Sequence, residues 1–169
     1  MVSVRHATSA TDFEQGTELL REYASWILDA SGIDPYEVLS GLASEVDSLG
    51  DHYRGPGGAL FLASAEHTAV GILAVRIHED GSGELKRMYV RPGMRGGGTA
   101  DQLIIAATDH AHGHGCTRVW LESKRGLMDR AIAVYRRNGF RELPENGRTM
   151  QFDGVVLMER TLERKRSAA

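Results

Sequence analysis

Glu84-Leu85-Lys86-Arg87-Met88-Tyr89-Val90-Arg91-Pro92-Gly93-Met94-Arg95-Gly96-Gly97-Gly98-Thr99-Ala100 is the stretch on which the reading of this 169-residue chain turns. Glu84 to Val90 alternates and is rich in strand formers, which predicts a β-strand. Arg91-Pro92 stops it. Gly93 to Ala100 is too glycine-dense for the interior of a strand or helix, and suits a loop whose backbone approaches a ligand. Beyond it Leu103, Ile104, Ala107 and Ala111 recur at helical spacing, so an amphipathic helix is expected from about Thr99. Strand, glycine turn and helix together offer free backbone N–H groups to an anion. Arg95 stands at the mouth of that turn, with Lys86, Arg87 and Arg91 upstream, and the ligand expected there carries phosphate.

Spacing narrows the choice. The dinucleotide fingerprint G-x-G-x-x-G counted from Gly96 puts Asp101 where its third glycine belongs, beside the phosphates. The P-loop pattern fails one residue after Gly98, where Thr99 replaces lysine. What fits is R-x-x-G-x-A, spelled by Arg95-Gly96-Gly97-Gly98-Thr99-Ala100 and followed later by Ala131-Ile132-Ala133-Val134-Tyr135-Arg136-Arg137-Asn138-Gly139-Phe140. The first element resembles motif A of the GNAT superfamily of acyl-CoA-dependent N-acetyltransferases, Q/R-x-x-G-x-G/A. The second is similar to that family's A-x-x-x-Y-x-x-x-G-F element.

Composition is that of one ordinary globular domain: 41% hydrophobic, 25% charged, and an expected extent of residues 1–163, with 164–169 a frayed basic tail. No apolar run is long enough for a membrane span and the N-terminus has no signal-peptide pattern, so a cytoplasmic protein is expected. A single cysteine, Cys116, excludes an internal disulfide and a multi-cysteine metal site. The net charge of −3 hides an asymmetry: residues 1–80 hold 13 acids and 4 bases, residues 81–169 hold 10 acids and 16 bases. Nucleic-acid binding wants a basic face on the whole domain and is not expected. A basic half suits a compact polyanion such as coenzyme A, and an acidic half suits a cationic acceptor.

Taken in order, the chain predicts a strand at Val2 to Ala7 and a helix capped by Thr11 or Asp12 and running to about Ala30. Asp34-Pro35 should open a second helix reaching Gly50. Ala59 to Ser64, Ala69 to His78 and Glu84 to Val90 should form an antiparallel meander. After the glycine loop and its helix, Thr117 to Ser123 should pair in parallel with the Glu84 strand. A helix from Met128 to Arg137, a short strand at Phe140 to Leu143 and a last strand at Gly154 to Thr161 complete the list. This order looks like a whole GNAT fold: an α/β (α+β) domain whose mixed, mostly antiparallel sheet of six or seven strands is flanked by about four helices.

The resemblance implies transfer of an acetyl group from acetyl-CoA to a primary amine by direct attack in a ternary complex. It also implies roles. Tyr135 would be the general acid that protonates the coenzyme A thiolate, and a phenol with a pKa of about 10 stays protonated at neutral pH. Glu84 is the candidate base, eleven residues ahead of Arg95; Glu122 is the alternative, and water could replace both. Backbone at Met88 and Val90 would pair with the pantetheine arm and polarise the thioester. By alternation Glu84, Lys86, Met88 and Val90 should share one face. Arg95 and the N–H groups of Gly96, Gly97, Gly98, Thr99 and Ala100 would hold the pyrophosphate. Met128 stands where many relatives carry asparagine. The acceptor pocket is expected between the first two helices and the segment from Arg141 to Gly154, and dimerisation follows from family habit alone. No metal is expected at His110, His112 and His114, which lack a completing carboxylate or cysteine pattern. A coenzyme A-binding regulatory domain without catalysis, or another phosphate-ligand domain, are the alternative classes.

Overall fold

The computed structural model describes residues 1–144 and 153–163. Seven strands form one sheet in the order β1-β2-β3-β4-β5-β7-β6. They are β1 (Val2–His6), β2 (Gly58–Ala65), β3 (Thr68–Ile77), β4 (Ser82–Val90), β5 (Arg118–Lys124), β6 (Arg141–Glu142) and β7 (Val155–Thr161). All neighbours run antiparallel except β4 and β5, which are parallel. The parallel crossover is made by α5 (Thr99–Gly113). The expected mixed, mostly antiparallel sheet is therefore present. The predicted tail at 164–169 lies outside the described residues, and no helix among those described is long and apolar enough to cross a membrane.

Helix α1 (Ala10–Ser31) is capped two residues before the nearer of the predicted caps, Thr11 and Asp12. Ser9 is its N-cap and accepts from the Asp12 N–H, while the Asp12 carboxylate takes the Ser9 N–H, a reciprocal capping box. Asp12 also binds Arg5 and the Thr8 N–H. Burial alone would raise this carboxyl, but the Thr8 and Ser9 amides and then Arg5 overrule it and hold it below the usual carboxylate range. Gly16 lets α1 lie close on its neighbours: a Cβ there would come within 2.9 Å of Leu49 Cδ2 and Leu60 Cδ2.

The single second helix expected from Pro35 to Gly50 is instead three short ones, α2 (Pro35–Val38), α3 (Leu42–Asp47) and α4 (Leu49–Tyr53). Leu39 is extended, Gly41 is left-handed (φ 79°) and Ser48 leaves helical geometry, so the ladder breaks twice. The gain from those breaks is tertiary. They let Glu45 reach β4, where it is 1% exposed and receives Arg87 Nε at 2.8 Å.

Two apolar layers sandwich the sheet. On one face α1, α3 and α4 pack Leu19, Leu20, Ile27, Leu42 and Tyr53 onto Leu60, Leu62 and Ile72. On the other, α5 and α6 (Asp129–Arg137) pack Leu103, Ile104 and Ile132 onto Leu73, Val119, Leu121 and Met158. Truncating a fully buried leucine such as Leu103 to alanine would cost about 2–5 kcal/mol.

Candidate active site

Two departures from regular pairing in β4 build the site. The first is a bulge. Ala74 pairs with Lys86 and Ile72 with Tyr89, so two steps on β3 span three on β4. Arg87 absorbs the extra residue at φ 62°. In consequence Lys86 and Arg87 both reach Glu45, at 3.6 and 2.8 Å. Met88 and Val90 fall instead on the face of Leu73 and Leu103. The expectation that Glu84, Lys86, Met88 and Val90 share a face is thus overturned, because simple alternation does not survive the bulge.

The second departure is a wedge. β4 and β5 pair only over Ser82↔Arg118, Gly83↔Val119 and Glu84↔Trp120, and then separate. The Arg91 N–H bonds Val70 O at 2.9 Å, which makes Gly71 and Val90 a non-hydrogen-bonded pair. The N–H and C=O of Val90 therefore face away from β3 and into the wedge. Arg95 Nε takes that carbonyl at 2.8 Å, while its guanidinium lies 5.5 Å from the Trp26 ring and 5.8 Å from Tyr89.

Beyond Val90 the glycine turn does what its composition predicts. Pro92–Met94 is a 3-10 turn, Gly96 and Gly98 are left-handed at φ 83° and 82°, and α5 begins at Thr99 without a side-chain cap. The N–H groups of Gly96 to Ala100 make no hydrogen bond among the described residues. A Cβ at Gly96, Gly97 or Gly98 would meet nothing within 4 Å. Glycine is required at 96 and 98 by backbone conformation, and the row of amides opens onto free space.

That space is a cavity of ≈ 640 Å³. Met88, Val90, Arg95, Gly96, Gly98, Thr99 and Ala100 line it on one side, and Met128, Ala131 and Val134 of the α6 segment on the other. Most of the residues predicted for the cofactor thus surround one cavity. Met128 contributes an apolar wall at the entrance to α6.

Tyr135 follows Val134 and is 6% exposed, its ring 5.6 Å from Phe140 in a T-shaped contact. Burial, and secondarily Tyr23, pushes its phenol above the ordinary value, so it is protonated at neutral pH. Tyr23 sits on α1, the opposite side of the sheet, and burial pushes it up to about 12. Glu84 is placed at the point of the wedge, in the last β4–β5 pair. It does not line the cofactor cavity; its Oε2 lies 2.9 Å from His78 Nε2. Glu122 is exposed on the separated part of β5. His78 was missed in the sequence, where nothing local marks it as a partner of Glu84.

A second cavity, ≈ 810 Å³, adjoins His78, Ser82 and Trp120 and is bordered by Glu142 to Pro144 and Gly154 to Leu157. Its walls include part of the segment from Arg141 to Gly154 expected at the acceptor pocket, but among the described residues neither of the first two expected helices, found as α1 to α4, lines it. Its acids are largely answered: Asp80 and Glu159 bind Arg118, and Glu142 binds Arg125 and Arg136. Cys116 is buried, and burial followed by Asp80 raises its thiol, which suits a core residue. Among the described residues no group of three or more metal-ligating side chains has metal-binding geometry.

The chain belongs to the acetyltransferase (GNAT) family, whose model matches residues 18–140. Among curated relatives it is 34% identical over 101 residues to the uncharacterized N-acetyltransferase YjgM of Escherichia coli (strain K12), a match covering 58% of this chain and 60% of that protein. The chain thus spans about 60% of the length of that relative. Its fold is that of a GNAT-family acetyltransferase from Staphylococcus aureus, with TM-score 0.77 and 18% identity over 96% of this chain and 100% of the other. The paia N-acetyltransferase of Thermoplasma acidophilum, solved in complex with coenzyme A, matches with TM-score 0.73 and 18% identity over 96% and 99% of the two chains.

Proposed function

We propose that this chain transfers an acetyl group from acetyl-CoA to a primary amine. The observation that carries the reading is the row of unbonded N–H groups from Gly96 to Ala100, opening onto a cavity that continues along the free edge of β4. A diphosphate suits the first part and an extended amide-bearing arm suits the second, since a strand edge pairs with amides and a helix N-terminus attracts anions.

In this reading Val90 and, two residues before it, Met88 present backbone to the pantetheine arm. The thioester then lies in the wedge, its carbonyl polarised by a strand N–H. The amine attacks the thioester carbon, the C–S bond breaks, and Tyr135 gives its proton to the departing sulfur. The amine's proton leaves at the point of the wedge, where Glu84 stands. Arg95 has a supporting part: with its guanidinium packed against Trp26 and Tyr89 and bound to Val90 O, it holds the end of β4 to the glycine turn.

Isothermal titration of acetyl-CoA into the protein, followed by thiol detection over a panel of amines, tests this. Micromolar binding with amine-dependent thiol release is expected. No binding heat would remove the assignment.

A further inference from the structure

The Glu84 carboxylate is 20% exposed, and one of its oxygens is engaged by His78. His78 Nε2 lies 2.9 Å from Glu84 Oε2, and its ring stacks on Trp120 at 5.7 Å and 28°. The indole is fixed in turn, its Nε1–H donating to Ser82 Oγ at 3.1 Å. His78 and Trp120 both face the ≈ 810 Å³ cavity, and Glu84 pairs with Trp120 where the wedge begins.

We propose that this cavity receives the acceptor, a primary amine carried on an apolar or aromatic body, and that His78 takes the amine's proton while Glu84 positions it. The inference rests on the transferase reading above. Four features argue for it.

A carboxylate accepting from Nε2 makes that nitrogen the N–H of the neutral ring and leaves Nδ1 as the basic one. Nδ1 makes no hydrogen bond among the described residues. Imidazole is also the side chain whose ordinary charge change falls nearest neutral pH, which suits a general base. The cavity supplies a route by which the proton reaches solvent, since His78 is 36% exposed. Finally, Asp80, Glu142 and Glu159 are answered by arginines, which leaves, among the described residues, an apolar strip of Trp120, Leu143, Pro144, Val155 and Leu157 for the body of the acceptor and Glu79 as the lining acid that no arginine pairs.

The charged groups around the ring are Glu84 on β4, Arg76 on β3, Glu79 and Asp80 in the turn, Arg118 on β5 and Glu159 on β7. The protons balance. An ammonium gives one proton to Nδ1 and becomes the nucleophile, and the imidazolium, steadied by Glu84, passes it to solvent. As the C–N bond forms and the C–S bond breaks, Tyr135 protonates the sulfur and recovers a proton from the nitrogen.

The test uses 2-phenylethylamine and spermidine as acceptors, with kcat followed from pH 5.5 to 9.5 and acetyl-CoA binding heat measured in parallel. Wild type should prefer 2-phenylethylamine in kcat/KM. His78→Gln should lose about 100-fold in kcat at pH 7. That deficit should shrink as pH approaches the amine's own pKa, and the acetyl-CoA heat should be unchanged. Glu84→Ala, which removes the acceptor that orients the ring, should lower kcat, and Glu84→Gln, which still accepts from Nε2, should restore most of it, with the acetyl-CoA heat unchanged in both. A His78→Gln profile that overlays wild type, or a preference for spermidine, overturns the proposal while leaving the transferase reading in place if acetyl-CoA still binds. Absence of acetyl-CoA heat in wild type overturns both.

Discussion

Replacing Gly98 with alanine separates the folding role of the glycine turn from its binding role. Gly98 is the N-cap of α5 at φ 82°, where an L-residue costs about 1–2 kcal/mol, and an added methyl meets no protein atom within 4 Å. Urea denaturation should therefore show a loss of only that size. Binding should fall further. If the α5 N-terminus relaxes or the methyl enters the ligand's space, one charge-assisted N–H bond to phosphate is lost, about 1.5–3 kcal/mol, or roughly 10- to 150-fold in Kd. Gly93→Ala is the control, since its φ is not positive and its surroundings are equally open. Titration calorimetry with acetyl-CoA reads the outcome. A Gly98→Ala protein that loses stability yet binds acetyl-CoA like wild type would refute the argument that these amides grip the diphosphate.

Three further predictions concern other parts of the molecule. Tyr135→Phe should lower kcat by about 100- to 10,000-fold with acetyl-CoA affinity unchanged, and steady-state kinetics with full turnover would exclude the acid role. Glu45→Gln breaks a buried pair with Arg87 and should cost about 3–5 kcal/mol in urea. Burial would raise the Glu45 carboxyl, but Arg87 and then Lys86 hold it below the ordinary value. The stability it contributes is therefore present above the unfolded carboxyl value and disappears as pH falls through its lower folded one, so the variant's stability curve should be flatter in acid. His110, packed 4.1 Å from His114 and 5.2 Å from His6, is held down to about 4 by burial, then by His114 and His6. Being depressed in the folded state, it favours folding fully above about pH 6.5 and less as pH drops towards 4. His110→Leu should lose that slope in thermal melts taken across this window.

The sequence by itself determined the elements around the chemistry. The alternation of Glu84 to Val90, the proline stop, the glycine run and the 3.6-residue spacing of Leu103, Ile104 and Ala107 are local signals, each set by the conformational preferences of a few adjacent residues. They yielded the β4–turn–α5 unit, the meander and the open row of amides. What tertiary structure decided is set across strands. The bulge at Arg87 exists because β3 and the buried carboxylate of Glu45 impose a register that no residue of β4 announces. The broken second helix follows from the same pull on Glu45. The wedge depends on β5 leaving β4 after Trp120, and the His78–Glu84 pair on two strand ends meeting across a turn. Side-chain direction reverses with every one-residue slip in pairing, so which groups face one another is fixed only when distant strands have chosen their register.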